Sequence, residues 1–309
     1  MRIARLLLFA VSASCGASSP RVAGPVRPAR WDACERGDAR VCVEAGRSSA
    51  PQDPPLALHY FVVGCDLMSL ESCREAISLM ASGVVVTDEE QGKAILLHAV
   101  DVFGADCMKG QADSCFVVLD EFADLLSERR RAFSEKWADI LNFQCSDGDM
   151  QSCRVLAFAY LEGSFVTRDA EMAVQYLVKA CDGGSWGACR IAAGILDPSD
   201  PVRSRGLYDR ALAGFEHQCD AEGLHCDTVA EIYERGEGRP ADPRLAAAFR
   251  QRAVLNDYGR CERGRREACH RLVRCLETSC KAIKDLAVER ALILRTACAQ
   301  GVKKACNLP

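Results

Sequence analysis

Apolar residues recur with helical spacing in the middle of the chain. The first helical segment starts at Cys153, and its run V-L-A-F-A-Y-L-E-G ends at Gly163. Asp169 then opens a second run, A-E-M-A-V-Q-Y-L-V-K-A-C. In the second run the apolar positions follow the spacing i, i+3, i+4, i+7 of an amphipathic helix. They are Ala173, Tyr176, Leu177 and Ala180. Two helices joined by a short loop are therefore predicted for this stretch.

The same pattern of small, aromatic and turn residues returns further along the chain. Its positions are Ala230, Tyr233, Gly236, Gly238, Asp242, Ala246, Phe249 and Ala253. Small residues allow two helices to approach closely, and an aromatic ring fills the space that remains between them. We interpret the aromatic residues as core packing and not as part of a cofactor site.

Cysteine supplies a second and stronger periodicity. Sixteen of the 19 cysteines form eight close pairs, and the first members of these pairs recur every 31 to 42 residues. Seven pairs are eight residues apart and one is seven apart. The pairs are Cys34/Cys42, Cys65/Cys73, Cys107/Cys115, Cys145/Cys153, Cys181/Cys189, Cys219/Cys226, Cys261/Cys269 and Cys298/Cys306.

This spacing predicts a turn between the two cysteines of each pair. Eight residues of continuous helix rise about 12 Å, whereas a disulfide needs Cα atoms within about 7 Å. Glycine, which ends helices in the left-handed conformation, follows the first cysteine by three residues in six of the eight pairs. These glycines are Gly37, Gly110, Gly148, Gly184, Gly264 and Gly301. Each disulfide is therefore expected to staple an antiparallel helix pair at its corner.

The motifs A-x2-Y-x2-G, D-x3-A and A-C-x2-G-x3-A-C together resemble the Sel1-like repeat, a relative of the tetratricopeptide repeat. More narrowly, they are similar to the cysteine-rich bacterial branch that includes the Helicobacter cysteine-rich proteins. The resemblance extends over residues 31–306 and is strongest at 145–189 and 226–269. It is weaker at 31–73, where A-P-Q-D-P-P interrupts the pattern, and at 115–145, where S-E-R-R-R-A-F lacks the glycine turn.

The resemblance implies an all-α fold. Residues 31–309 are expected to form an α/α superhelical solenoid of about seven disulfide-stapled helix-pair repeats, in which each repeat contacts only its neighbours. In that family the concave surface of the solenoid chiefly holds other proteins. The resemblance also introduces an alternative, because members of the cysteine-rich branch bind β-lactams or hydrolyse them weakly.

The N-terminus predicts export. Arg2 and Arg5 precede the apolar run L-L-L-F-A-V, and small residues follow, which is the layout of a signal peptide over residues 1–14. Cys15 lies where a bacterial lipoprotein carries its lipid, although V-S-A-S-C only approximates that motif. The alternative is cleavage after Ala13, which leaves a free thiol. Residues 15–30 are Pro-rich and are predicted to form a flexible tether.

Two further cysteines, Cys275 and Cys280, lie outside the register of the repeats. Lipidation of Cys15 would leave eighteen cysteines, an even number, so these two could form a ninth disulfide at the far end of the last full repeat. The alternative is a redox pair or two reactive thiols. Such cysteine usage is typical of an oxidising compartment, here the periplasm or outer membrane.

Motifs for metal binding and nucleophilic catalysis are sparse. Metal-ligand types concentrate at His217, Cys219, His225 and Cys226, but two of these residues belong to a predicted disulfide, so we predict no metal and no cofactor. His59, His98 and His270 are scattered. None of the serine β-lactamase motifs S-x-x-K, S-D-N and K-T-G occurs in the sequence. No catalytic residue is therefore assigned.

Charge and composition narrow the function. The formal net charge of −4 and the lack of a long basic run argue against nucleic-acid binding. The runs Glu128–Arg131 and Arg263–Arg266 are interpreted as solvated helix faces, with a patch for an acidic partner as the alternative. We expect an envelope adaptor or scaffold that binds a protein or peptide, with membrane contact only through a lipid on Cys15. A weak β-lactam-recognising enzyme and a purely structural envelope protein are the competing hypotheses.

Overall fold

The computed structural model describes residues 32–277 and 290–308. Sixteen α-helices and two 3-10 turns form this part of the chain, which contains no strand. The helices are α1 (Asp32–Glu35), α2 (Ala39–Ser49), α3 (Pro54–Asp66), α4 (Leu70–Ala81), α5 (Glu89–Met108), α6 (Ala112–Glu121), α7 (Arg130–Ser146), α8 (Met150–Glu162), α9 (Ala170–Asp182), α10 (Trp186–Leu196), α11 (Pro201–Glu222), α12 (Cys226–Arg235), α13 (Pro243–Glu262), α14 (Arg266–Glu277), α15 (Arg290–Ala299) and α16 (Lys303–Cys306).

Seven helix pairs lie between successive disulfides, from α2/α3 to α14/α15, and each pair is one repeat. The chain divides into two compact units, Met1–Phe143 and Gln144–Pro309. Within each unit, neighbouring helices in the sequence are neighbours in space, as for α2 with α3 and for α10 with α11. The predicted all-α solenoid of stapled helix pairs is thereby confirmed.

Disulfides join the last turn of an odd-numbered helix to the first turn of the next even-numbered helix. Among the described residues there are eight, with Cα–Cα distances of 4.6 to 4.9 Å. They join Cys34 to Cys42, Cys65 to Cys73, Cys107 to Cys115, Cys145 to Cys153, Cys181 to Cys189, Cys219 to Cys226, Cys261 to Cys269 and Cys298 to Cys306. Cys280 lies outside the described residues, so the predicted pair with Cys275 does as well.

A common backbone turn forms seven of the eight corners. In these seven, the N–H of the residue three after the first cysteine donates to that cysteine's carbonyl, as from Gly148 to Cys145 at 3.3 Å. In the sixth corner the N–H of Gly223 donates to the carbonyl of Cys219, four residues earlier, at 3.1 Å. Gly148 has a φ of +99°, which glycine adopts without a Cβ penalty. Met68 takes the same place in the second corner, with a φ of +64° and a hydrogen bond of 2.8 Å to Cys65.

The two stretches that weaken the sequence pattern have different structures. In A-P-Q-D-P-P, Asp53 caps α3 by accepting from the N–H of Leu56 at 3.1 Å, and two prolines occupy the first turn. Proline fits there because its missing N–H would lack a helical partner anyway. The segment is therefore a helix start and not an interruption. Before α7, two 3-10 turns at Ala123–Leu125 and Ser127–Arg129 replace the glycine turn.

Stacked aromatic rings recur at equivalent positions of two repeats. Tyr160 stacks on Tyr176 with centroids 5.8 Å apart, and Tyr233 stacks on Phe249 at the same distance. In both repeats the first ring is seven residues after the second cysteine, and the other is seven residues after the helix-capping Asp. This geometry agrees with the interpretation of the aromatic residues as core packing.

Ion pairs also recur between successive odd-numbered helices. An Asp that directly follows the first cysteine pairs with a basic residue nine positions before the next first cysteine. Two examples are Asp182 with Arg210 and Asp220 with Arg252, and the Nε2 of His98 lies 3.3 Å from Asp66 at the equivalent place. These contacts are solvent-exposed, so each contributes at most about 1 kcal/mol. Their recurrence follows from the similar stacking of these repeats.

Candidate functional site

Even-numbered helices of three successive repeats line an open groove in the first unit. Its volume is about 670 Å³. The helices that form it are α2, α4 and α6, and the end of α5 closes one side. The lining residues are Arg47, Leu70, Glu71, Arg74, Glu75, Ser78, Asp106, Gln111, Asp113 and Ser114. We call this feature the acidic groove, because four carboxylates and two guanidinium groups line it.

Arg47 on α2 crosses to α4 and holds two of the carboxylates in place. Its Nη2 lies 2.9 Å from the Oε1 of Glu71, and its Nε donates to Glu75 at 2.8 Å. The hydrogen bond with Glu75 raises the pKa of Arg47 above its usual value, so this guanidinium stays charged throughout the physiological pH range. Adjacent repeats are thus joined across the groove, and two negative charges are partly neutralised.

Arg74 extends into the groove from α4, one residue after Cys73. Its guanidinium carbon lies 5.7 Å from the centroid of the buried Phe103 ring, in a cation–π contact. The Glu231 and Glu237 carboxylates of the second unit bind Arg190, which occupies the equivalent place after Cys189, with the Nε of Arg190 2.6 Å from Glu237. Equivalent positions therefore lie in different surroundings in the two units.

Ser114 fixes a further carboxylate at the edge of the groove. Its buried hydroxyl donates to the Oδ2 of Asp106 at 2.6 Å. Asp113, the preceding residue, is exposed in the first turn of α6. These two carboxylates extend the negative lining along three repeats. Such a surface can hold an extended peptide segment through side-chain contacts. We assign no nucleophile or general base among its lining residues.

A second, smaller recess lies in the second unit, between the C-terminal ends of α11 and α13. Its volume is about 340 Å³. Three arginines, Arg252, Arg260 and Arg263, line it together with Asp220 and Glu222. The Nδ2 of Asn256 lies 3.4 Å from the Sγ of Cys226 at the same corner.

The candidate metal ligands His217, Cys219, His225 and Cys226 do not form a cluster of ligands. Cys219 and Cys226 are bonded to each other, and the His225 ring packs against Phe215 with centroids 5.3 Å apart. In residues 32–277 and 290–308, no group of three metal-binding side chains comes together. Cys15 lies outside the described residues.

Two observations bear on location. Eight disulfides in the described residues indicate an oxidising, extracytoplasmic environment. None of the helices described here combines the length and the apolar character that crossing a bilayer requires.

Sequence reasoning did not identify the groove residues. A usable signal exists two residues before the second cysteine, where Glu71 precedes Cys73 and Asp113 precedes Cys115. Carboxylates at this repeated place in two successive repeats lie in the lining of the same groove.

Three segments of the chain match the model of a known repeat family. The family model described as the Sel1 repeat matches residues 34–67, 151–185 and 229–258. The first match covers a stretch in which the resemblance was expected to be weaker, and the capping of α3 by Asp53 explains how that stretch still forms a repeat. No curated protein matches the chain.

Solved structures similar to this chain include two bacterial proteins. One is a protective antigen of uropathogenic Escherichia coli strains with an SLR fold, at 16% identity and a TM-score of 0.41 over 89% of this chain. The chain spans only 56% of that structure. The other is a Sel1 repeat protein from Oxalobacter formigenes, at 16% identity and a TM-score of 0.38, with 97% of this chain and 96% of that one covered. The Sel1 repeat is thus what three segments of this chain are similar to.

Proposed function

We propose that this protein is an exported adaptor of the cell envelope that binds a protein or peptide segment in the acidic groove. The observation that carries the proposal is the groove itself, a polar channel along three successive repeats. Ion pairs from Arg47 to Glu71 and Glu75 fix part of its lining. A lining that is already ordered loses little conformational freedom on binding, which favours recognition.

The proposal includes delivery to the periplasm or outer membrane. Residues 1–14 would act as the export signal, Cys15 would carry the lipid, and residues 15–30 would serve as the tether. The disulfides support an oxidising destination. Mass spectrometry of the mature N-terminus tests this part, since a diacylglycerol mass on Cys15 supports the anchor and a free N-terminus at Ser14 contradicts it.

Site-specific photocrosslinking in intact cells tests the binding proposal. A photoreactive residue replaces Ser78 in the groove, and the control places the same residue at Lys93, an exposed position on α5 in the same unit. We expect Ser78 to give a discrete protein adduct that Lys93 does not. Equal labelling from both positions, or none from Ser78, would contradict the proposal.

Membership of the cysteine-rich branch, with its β-lactam activity, is the alternative proposal. The resemblance in cysteine spacing supports this alternative. No nucleophile has been assigned to it among the described residues. Turnover of a chromogenic β-lactam by the oxidised protein, abolished by a single side-chain substitution, would favour this alternative over the adaptor.

A further inference from the structure

Charge is unevenly distributed along the chain. Residues 32–143 carry ten Lys and Arg against twenty Asp and Glu. Residues 260–277 and 290–308 carry ten Lys and Arg against three Glu. The small net charge of the whole chain therefore conceals an acidic first unit and a basic C-terminal region. Surfaces of opposite charge attract each other and steer the association of two molecules.

The basic region concentrates at one stapled corner. Arg260, Arg263, Arg265 and Arg266 surround the turn between α13 and α14, and we call them the arginine corner. The last three are exposed. This position corrects the interpretation of Arg263–Arg266 as a helix face, because α13 ends at Glu262 and α14 begins at Arg266.

The arginine corner is free of ion pairs within the described structure, unlike the arginines near it. Arg271 donates to Asp257 at 2.9 Å, and Arg252 pairs with Asp220. No carboxylate of residues 32–277 or 290–308 lies within salt-bridge distance of the four corner side chains. Arg260 and Arg263 line the smaller recess together with Asp220 and Glu222 but form no ion pair with either.

The acidic groove carries the complementary charges. Glu71 and Asp113 are exposed, and Arg47 compensates only part of the negative charge along the lining. A planar guanidinium matches a carboxylate in a two-point hydrogen bond, which makes arginine the favoured cation for such a surface. Both complementary surfaces occur on one chain, so every molecule supplies a partner for every other.

We infer that the arginine corner of one molecule docks into the acidic groove of a second copy. The contact is heterologous, since different surfaces meet, and repetition of it produces head-to-tail assemblies. The inference rests on the proposed function, because it makes a second copy of the chain an occupant of the protein-binding groove.

Sedimentation velocity of the oxidised protein provides the first test. At about 0.01 M salt the Debye length is about 30 Å, and at about 1 M it is about 3 Å. We expect the mean sedimentation coefficient to rise with protein concentration at low salt and to stay at the monomer value at high salt. A monomer at every concentration in low salt would overturn the inference.

Charge-swap variants locate the contact. One variant combines Arg263→Glu, Arg265→Glu and Arg266→Glu, and the other combines Glu71→Lys and Asp113→Lys. Each alone should remain monomeric, because its corner and groove then have the same sign of charge. An equimolar mixture should assemble again, since each variant complements the other. A mixture that stays monomeric would contradict the pairing.

The matched control changes the same amount of charge elsewhere. Arg203, Arg205 and Arg244 are exposed and lie near the N-terminal ends of α11 and α13. Their joint replacement by Glu should leave self-association within about twofold of wild type. Loss of assembly in this control would show that net charge matters and the corner does not. A monomeric wild type that still gives the Ser78 crosslink would refute only the self-docking.

Discussion

Met68 holds a left-handed backbone conformation that its side chain does not favour. Its φ is +64°, at the corner position where six other repeats carry glycine. A non-glycine residue in this region costs about 1–2 kcal/mol, and the half-exposed side chain contributes little burial. We expect Met68→Gly to raise the free energy of unfolding by about 0.5 kcal/mol, after the greater freedom of glycine in the unfolded chain is included.

Gly148→Ala is the converse experiment. Gly148 has a φ of +99°, and a Cβ added there would meet no atom within 4 Å, so only backbone strain opposes the substitution. The free energy of unfolding should fall by about 1–2 kcal/mol. Gly187 also has open space around it but lies inside α10, and Gly187→Ala should be neutral or stabilising. Urea titrations with intact disulfides measure all three; a destabilised Met68→Gly would contradict the strain argument.

Asp149 at the start of α8 predicts a pH effect. A hydrogen bond from Ser152 lowers the pKa of Asp149, and the N–H of Gln151 adds to this. A lowered pKa in the folded state means that ionised Asp149 contributes stability above its unfolded pKa of about 3.9, and this contribution is lost as the pH falls through the folded pKa. The urea midpoint of wild type should exceed that of Asp149→Asn at pH 7, and the difference should shrink near pH 3. A constant difference would contradict this account.

Two glycines of α11 allow the effect of close packing to be distinguished from the effect of helix propensity. A Cβ on Gly214 of α11 would clash with the ring of Trp186, whereas one on Gly206 of the same helix would meet nothing within 4 Å. Overpacking costs about 1–3 kcal/mol, while alanine gains up to about 1 kcal/mol in helix propensity. We expect Gly214→Ala to lower the thermal midpoint and Gly206→Ala to raise it.

A double substitution tests the mechanism. Trp186→Ala removes the ring against which the new methyl group would clash, so Gly214→Ala should cost much less in that background. The comparison uses thermal unfolding of the four proteins that form the cycle. An unchanged cost of Gly214→Ala in the absence of the ring would exclude the Trp186 contact as its cause.

Helices were predictable from the sequence where two signals agree. Gly163 ends α8 in the left-handed conformation and Asp169 caps α9, as the apolar spacing and the turn residues both indicate. The prediction was poorer where one signal was absent. The sequence around Asp53 and the two prolines after it is typical of a loop, and only the capping role of Asp53 indicates a helix start. The 3-10 turns before α7 contain no glycine that would predict a turn there.

At the scale of the whole molecule, periodicity predicted the repeats but could not predict the groove. Cysteine spacing is a local property, because each staple joins residues only seven or eight apart. The groove depends on contacts between repeats, such as Arg47 with Glu75, whose partners are 28 residues apart. Such pairs follow from the stacking register, which a single sequence does not specify.

The staples carry much of the stability of the array. Each disulfide closes a short loop, and the chain-entropy model assigns about 2–3 kcal/mol to each as an upper estimate. Because repeats contact only their neighbours, no central core replaces that contribution. We expect reduction by a strong reductant to lower the thermal midpoint sharply, with thiol titration to confirm complete reduction.

The effect of removing one disulfide on the thermal midpoint should depend on the position of that disulfide along the array. Replacing Cys181 and Cys189 by Ser removes an interior staple between α9 and α10, which both pack against further helices. Replacing Cys298 and Cys306 removes the staple that holds only the short α16. Since each interior repeat supports neighbours on both sides, the interior substitution should lower the thermal midpoint more than the terminal one. Equal decreases of the thermal midpoint in the two variants would mean that each disulfide acts independently of the neighbouring repeats. An unchanged midpoint in the fully reduced protein would mean that helix packing alone stabilises the solenoid.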